Sequence, residues 1–138
     1  MSSLFSEVHD ARVPLLDVLY FRSEGLIVGV RLVFETRTLD CLANPDDDTI
    51  AISAASAVPE AELSSCVHPV WLRAIGRPLM WTWSLENNQG YWDAIQLEFA
   101  HDSGDRDVIS IQLLVMASQI TFYSLTQLPM DPNPIAQP

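Results

Sequence analysis

The chain contains no lysine, because all seven of its basic residues are arginine. It therefore has neither the amine that Schiff-base chemistry uses nor the lysine with which a P-loop holds phosphates. Its two cysteines, Cys41 and Cys66, are too few for a metal cage and do not form a Cys-x-x-Cys motif. Both are expected to be small core or half-buried residues.

A long apolar run and a basic leader are also missing. No stretch approaches the roughly 18 apolar residues that a membrane-spanning helix needs, and the opening sequence MSSLFSEVHD is polar and acidic. We therefore expect a soluble, cytoplasmic protein without a membrane span.

Positive charge is scarce, because seven arginines face eighteen aspartates and glutamates, which gives a net charge of −11. Such a chain repels nucleic-acid phosphates and anionic lipid headgroups, and it attracts basic surfaces. Nucleic acids and membranes are therefore not expected as partners, whereas a basic protein is.

What the chain does contain is enough apolar residues for a core, since 49% of its 138 residues are hydrophobic. This length fits a single domain, which we place at residues 1–128, followed by a proline-rich tail at 129–138. Apolar residues alternate with polar ones in several short segments, as in half-buried strands. The pattern predicts a β-rich α+β domain of about six to eight mainly antiparallel short strands, with one or two short helices. The strands are expected to form a curled sheet or a partly open barrel.

The clearest of these segments is a hairpin at residues 79–99. Its first arm places Leu79, Trp81, Trp83 and Leu85 at alternate positions, which predicts one apolar face packed in the core. Around the polar turn the hairpin carries further aromatic residues, and acidic residues lie nearby. An aromatic anchor within an acidic ring is typical of a protein-binding hot spot. The candidate binding residues are Asp46, Asp47, Asp48, Glu86, Tyr91, Trp92, Asp93, Asp102 and Asp105.

Motifs for catalysis or metal binding are not found. The histidines His9, His68 and His101 lie in different predicted elements, which argues against a histidine metal site. The acidic run at residues 46–48 lacks the ligand alternation and the glycine of a calcium loop, so we interpret it as a solvated turn. No nucleophile motif is present. Cys66 lies two residues before His68, but this spacing is only a weak indication of a thiol nucleophile. No cofactor is expected.

The sequence of the hairpin turn resembles a known pattern. Residues 87–93 read Asn-Asn-Gln-Gly-Tyr-Trp-Asp, and the pattern Asn-x-Gln-Gly-aromatic-x-Asp before a strand ending in Phe resembles a family of small uncharacterised bacterial domains. The resemblance covers the C-terminal half of the chain and implies no catalytic residues. In its size, acidity and lack of an active-site motif the chain is also similar to the immunity proteins that neutralise antibacterial toxins.

These observations favour a non-enzymatic protein-binding domain, in particular an immunity protein that covers the basic cleft of a toxin. An alternative is a small-molecule binding domain with a pocket lined by Trp81, Trp83 and Phe122. A weaker alternative is an enzyme that uses a close pair of carboxylates. The acidity could also serve solubility alone. Residues 13–21, as an exposed edge strand, could pair two copies into a homodimer.

Overall fold

The structure is a computed structural model, and it describes residues 3–54, 62–65, 68–102, 104 and 106–125. This part of the chain forms nine strands and two short helices. In chain order they are α1 (Ser3–Ala11), β1 (Leu15–Ser23), β2 (Leu26–Phe34), β3 (Thr38–Asn44), β4 (Thr49–Ala54), β5 (Glu62–Ser65), α2 (Pro69–Ala74), β6 (Leu79–Glu86), β7 (Trp92–Phe99), β8 (Ile109–Met116) and β9 (Gln119–Ser124). The predicted tail at 129–138 lies outside the described residues.

The strands form two antiparallel sheets. The first has the order β4-β3-β2-β1-β5 and the second the order β6-β7-β8-β9. The predicted β-rich α+β class is confirmed. The two sheets are separate, so the strands do not close into a barrel.

The core lies between the sheets and follows the period-two pattern of the strands. The first sheet contributes Val18, Val30 and Leu32, and the second contributes Leu97 and Ile111, all of them buried. Burying one such aliphatic side chain stabilises a fold by about 1.5–3 kcal/mol. The paired inner faces therefore supply most of the apolar burial.

The two helices complete this core with bulky side chains. Phe5 and Val8 on α1 are buried, and α1 packs against β6 and β4. Trp71 on α2 is completely buried, and its ring lies edge-on to Phe99 and Phe122 at centroid distances of 6.5 and 6.1 Å. Although these side chains come from outside the strands, they fill space in the core between the two sheets.

The prediction that residues 13–21 form an exposed edge strand is wrong, because β1 lies between β2 and β5. Residues 19–22 of β1 pair with β5 on one side, while β2 pairs along the other side. The prediction failed because β5 lies in a segment whose Ala, Ser, Pro and Glu composition indicates a surface connection. Among the described strands, the sheet edges are β4, β5, β6 and β9.

Candidate functional site

A β-bulge at Met80 decides where the hairpin tryptophans point. Leu79 pairs with Phe99, whereas Trp81 pairs with Glu98, so Met80 is an extra residue on β6. An extra residue reverses the alternation of side chains that follows it. Leu79 stays in the core, and Trp81 and Trp83 turn to the opposite face of the sheet.

The predicted burial of Trp81 and Trp83 is therefore wrong. Their side chains are 51% and 42% exposed. Bulges are often marked by glycine, but Met80 carries no such signal. The prediction assumed regular alternation along the whole arm. Beyond the bulge, this assumption assigns Trp81 and Trp83 to the core face instead of the exposed face.

The exposed side of the second sheet forms a surface that we call the aromatic face. One row across its four strands is Trp83, Gln96, Gln112 and Tyr123, because each residue pairs directly with the next. With neighbouring strands about 4.8 Å apart, this row is about 14 Å long. Tyr123 is 45% exposed at its far end. The aromatic face thus has aromatic side chains at both edges and amides in the middle.

A second row of the aromatic face contains Trp81, Glu98 and Ser110, again by direct pairing. Glu98 is half-buried, and the Nε2 atom of Gln96 lies 3.4 Å from Ser110 Oγ. No arginine occupies this face in the register of the sheet. The surface therefore combines indole rings with a carboxylate, which are the groups that bind a cation through ring and charge contacts.

The hairpin turn carries four of the predicted binding residues. Asn87 organises it, since its Oδ1 accepts hydrogen bonds from the backbone amides of Gln89 and Tyr91 at 2.9 and 3.2 Å. Its Nδ2 lies 3.3 Å from Asp93 Oδ2. Tyr91 and Trp92 are both exposed, and Glu86 pairs with Trp92 across a second irregularity in the register. Glu86, Tyr91, Trp92 and Asp93 are therefore neighbours at one end of the second sheet.

Two of the three aspartates of the β3–β4 turn accept hydrogen bonds, one within the turn and one from another turn. The Asp47 carboxylate accepts hydrogen bonds from Thr49 N and Oγ1 at 3.1 and 2.6 Å. Asp48 Oδ1 accepts one from Ser118 N at 2.8 Å, which ties this turn to the β8–β9 turn. Because β8 ends beside the start of β7, Asp46, Asp47 and Asp48 lie at the same end of the molecule as the hairpin turn.

Asp102 does not belong to this group. It follows β7, whose eight residues span about 25 Å, so it lies at the opposite end of the sheet from Asp93. Its Oδ1 accepts a hydrogen bond from Gly104 N within its own loop. The predicted acidic ring around the hairpin aromatics therefore does not include Asp102, and Asp105 lies outside the described residues.

The predicted pocket of Trp81, Trp83 and Phe122 does not form. Phe122 pairs with Leu113 and faces the core, on the opposite side of the sheet from both tryptophans. Trp81 instead borders a groove of about 330 Å³ between β6 and α1, where its ring lies 6.2 Å from that of His9. The bulge at Met80 again explains the difference.

Reactive groups are few in the part of the chain that the structure describes. No cluster of three or more metal-ligating residues occurs there. Cys41 is buried, as predicted, and burial raises the pKa of its thiol well above the usual range, with a further contribution from Asp40. Cys66 lies outside the described residues. Among the described helices, none is long and apolar enough to cross a membrane.

The buried carboxylate of the described core is also accounted for. Asp40 is completely buried, and Arg31 binds it through two hydrogen bonds, from Nε at 2.8 Å and Nη2 at 3.0 Å. This hydrogen bond is the main reason that the pKa of Arg31 is raised. The enzyme alternative needed a close pair of carboxylates, whereas this acid is paired with a cation.

Comparison with known proteins gives one match. No curated protein and no solved structure matches the chain. The family model that matches is described as a family of unknown function, and it covers residues 9–128. The resemblance to an uncharacterised domain family is thus supported, while the likeness to immunity proteins stays a prediction. Because the match covers most of the chain, the protein belongs to the family of unknown function DUF6334.

Proposed function

We propose that this chain is a non-enzymatic binding domain whose aromatic face contacts a basic protein partner. The observation that carries the proposal is the exposure of Trp81, Trp83 and Tyr123 on one side of a sheet. Exposed aromatic side chains grouped on one surface are typical of interaction sites, and tryptophan and tyrosine dominate binding hot spots.

The negative charge of the chain favours a positively charged partner. The chain has a net charge of −11, and Glu98 lies on the aromatic face beside Trp81. At the hairpin end, the exposed carboxylate of Glu86 adds negative charge. An arginine or lysine of the partner would gain both a ring contact with an indole and a charge contact with Glu98. Long-range attraction would also speed the encounter at low salt.

The narrower form of the proposal is an immunity protein that covers the basic cleft of a bacterial toxin. It predicts that the partner is a toxin domain encoded beside this chain, and that co-expression of the two restores growth. If the partner is basic but not toxic, the binding domain stands and the immunity role fails.

The experiment is a capture of partners from the native cells with the tagged chain, at low and then high salt. The test variant is Trp83→Ser, and the matched control is Leu72→Ser, which removes an exposed apolar side chain on α2 (55% exposed, against 42% for Trp83). We expect a stoichiometric basic partner that the Leu72 variant retains and the Trp83 variant loses.

A second pair of variants separates charge from stacking. Glu98→Gln should weaken capture and reduce its dependence on salt, because it removes the charge on the aromatic face. Glu24→Gln removes the same charge from the exposed β1–β2 turn of the first sheet and should leave capture unchanged. Equal capture by the wild type and the Trp83 variant would show that the aromatic face is not the binding surface.

A further inference from the structure

A cavity of about 290 Å³ lies on the far side of the second sheet from the aromatic face, at a point where side chains of both sheets meet. Its volume is just below the roughly 300–1,000 Å³ of ordinary ligand sites. The cavity is open to solvent, and Arg22, Ser65 and His68 are exposed. The lining residues are Tyr20, Arg22, Ile27, Ser65, His68 and Phe122. They come from β1, β2, β5, β9 and the residue before α2, so the fold and not a single loop builds the cavity.

The cationic group of this cavity is Arg22. Its guanidinium carbon lies 5.6 Å from the centre of the Tyr20 ring, and its Nε donates a hydrogen bond to Ser64 Oγ at 3.1 Å. These two contacts hold the side chain in place. Among the side chains that the structure describes, none accepts a hydrogen bond from the two Nη atoms. Arg22 is therefore held by its ring contact and its Nε atom, and neither contact uses its two Nη atoms.

His68 adds a donor whose tautomer the fold selects. Its Nδ1 accepts a hydrogen bond from Val70 N at 3.2 Å, so in the neutral ring the proton is on Nε2. The ring stands edge-on to Phe122, with centroids 5.5 Å apart and planes at 85°. Since both contacts fix the ring, Nε2–H is a preset donor. The Ser65 hydroxyl is a further donor in the lining.

The charge of the lining is opposite to that of the protein. Among the lining residues whose side chains the structure describes, none is acidic, although the chain contains eighteen acidic residues. Apart from the Tyr20 hydroxyl, the rest of the described lining is apolar, with the rings of Tyr20 and Phe122 only 5.3 Å apart at an angle of 37°. A ligand that fits both parts has one anionic group and a flat apolar body.

We propose that this cavity binds a small aromatic carboxylic acid. The carboxylate accepts hydrogen bonds from Arg22, Ser65 and His68, and the ring packs against Tyr20, Phe122 and Ile27. Charge-assisted hydrogen bonds to a carboxylate are among the stronger polar contacts, and the rings of Tyr20 and Phe122 offer apolar contacts to the body of the ligand. This site is independent of the aromatic face and does not require the proposed protein partner.

The test is a titration of the full chain with three probes at millimolar concentration, followed by NMR chemical shifts and calorimetry. Benzoate carries both the charge and the ring, benzamide has nearly the same shape without the charge, and acetate has the charge without the ring. We expect benzoate to bind and to shift the signals of Tyr20, Ile27 and Phe122. Equal binding of benzamide, or no binding of benzoate, would overturn the proposal.

Variants assign the binding to the cavity. Arg22→Gln should weaken benzoate binding at least about tenfold, because it removes a charged donor. Arg106→Gln removes the same charge from an exposed loop and should bind benzoate as the wild type does. His68→Asn removes Nε2 while keeping a side chain that can cap α2, and it should also weaken binding.

Ile27→Phe tests the cavity by filling it and leaves every donor in place. It should abolish benzoate binding, and a thermal unfolding curve measured for each variant shows that the fold is intact. If the Arg22 and Ile27 variants are folded and bind benzoate as tightly as the wild type does, the ligand does not occupy this cavity.

Discussion

The two sheets differ in what they do with the side away from the core. On the first sheet this side is closed: Phe21 is buried, its ring lies 5.0 Å from the Arg31 guanidinium carbon, and Arg31 binds the buried Asp40. On the second sheet the same side is open, with Trp81 and Trp83 exposed. The cluster on the first sheet is therefore buried and ion-paired, whereas the tryptophans on the second sheet are exposed to solvent.

Exposure, and not composition, is what separates the two outer faces. Both outer faces carry aromatic rings and acidic side chains. On the first sheet these groups satisfy one another, because Arg31 provides both a ring contact and an ion pair. Among the described strands of the second sheet, no arginine lies on the outer face, so Trp81, Trp83 and Glu98 have no arginine contact of this kind. Under the proposed function, a cation of the partner would supply it.

Of the changes on the two outer faces, the largest stability effect is expected when the closed face loses its cation. Arg31→Met leaves the Asp40 carboxylate buried without its ion pair, which should lower the free energy of unfolding by about 3–5 kcal/mol. Urea denaturation measures the change. The control, Arg37→Met, breaks the exposed pair between Arg37 and Glu7 and should cost less than about 1 kcal/mol. Equal costs for the two variants would show that the burial of Asp40 is unimportant.

A smaller effect is expected when a methyl group is added to the same face. A Cβ atom at Gly29 would lie 2.5 Å from Leu42 Cδ2 and 2.9 Å from Phe21 Cδ2. Gly29→Ala should therefore lower the free energy of unfolding by about 1–3 kcal/mol through overpacking. Gly104→Ala is the matched control, since its nearest contact is an ordinary 3.4 Å to Asp102 Oδ1. If both variants unfold at the same urea concentration, the closed face is not tightly packed.

The smallest effect on stability is expected on the open face. Trp83→Ser should change the free energy of unfolding by only about 1 kcal/mol or less, because much of the indole is already in water. The same replacement at Trp71, which is completely buried, should cost at least about 3–5 kcal/mol. Thermal unfolding distinguishes the two. A large loss for the Trp83 variant would indicate that this tryptophan serves the fold instead of a partner.

The sequence was sufficient for what regular alternation and local turn chemistry determine. The hairpin of β6 and β7, the presence of short helices and the burial of Cys41 were all predicted. In α2, proline stands at the first position and Gly76 follows the end of the helix. These features depend on period, on proline at a helix start and on a glycine with φ +91°, each of which can be read locally.

The features that failed depend on contacts between distant segments. The bulge at Met80 shows itself only when β6 is paired with β7, and it moved two tryptophans from the core to the surface. The distance of Asp102 from Asp93 follows from strand direction, which the charge pattern does not contain. The cavity around Arg22 joins residues as far apart in sequence as Tyr20 and Phe122, so no local pattern indicates it.

The hydrogen bond from Ser118 N to Asp48 Oδ1 has a consequence for the order of folding. It joins turns of different sheets that are 70 residues apart in sequence, and it can form only after each hairpin has closed and the sheets have docked. The Ser118 amide is therefore a reporter of docking. Its hydrogen exchange would distinguish a state with both sheets formed but apart from the native state, which signals within either sheet cannot do.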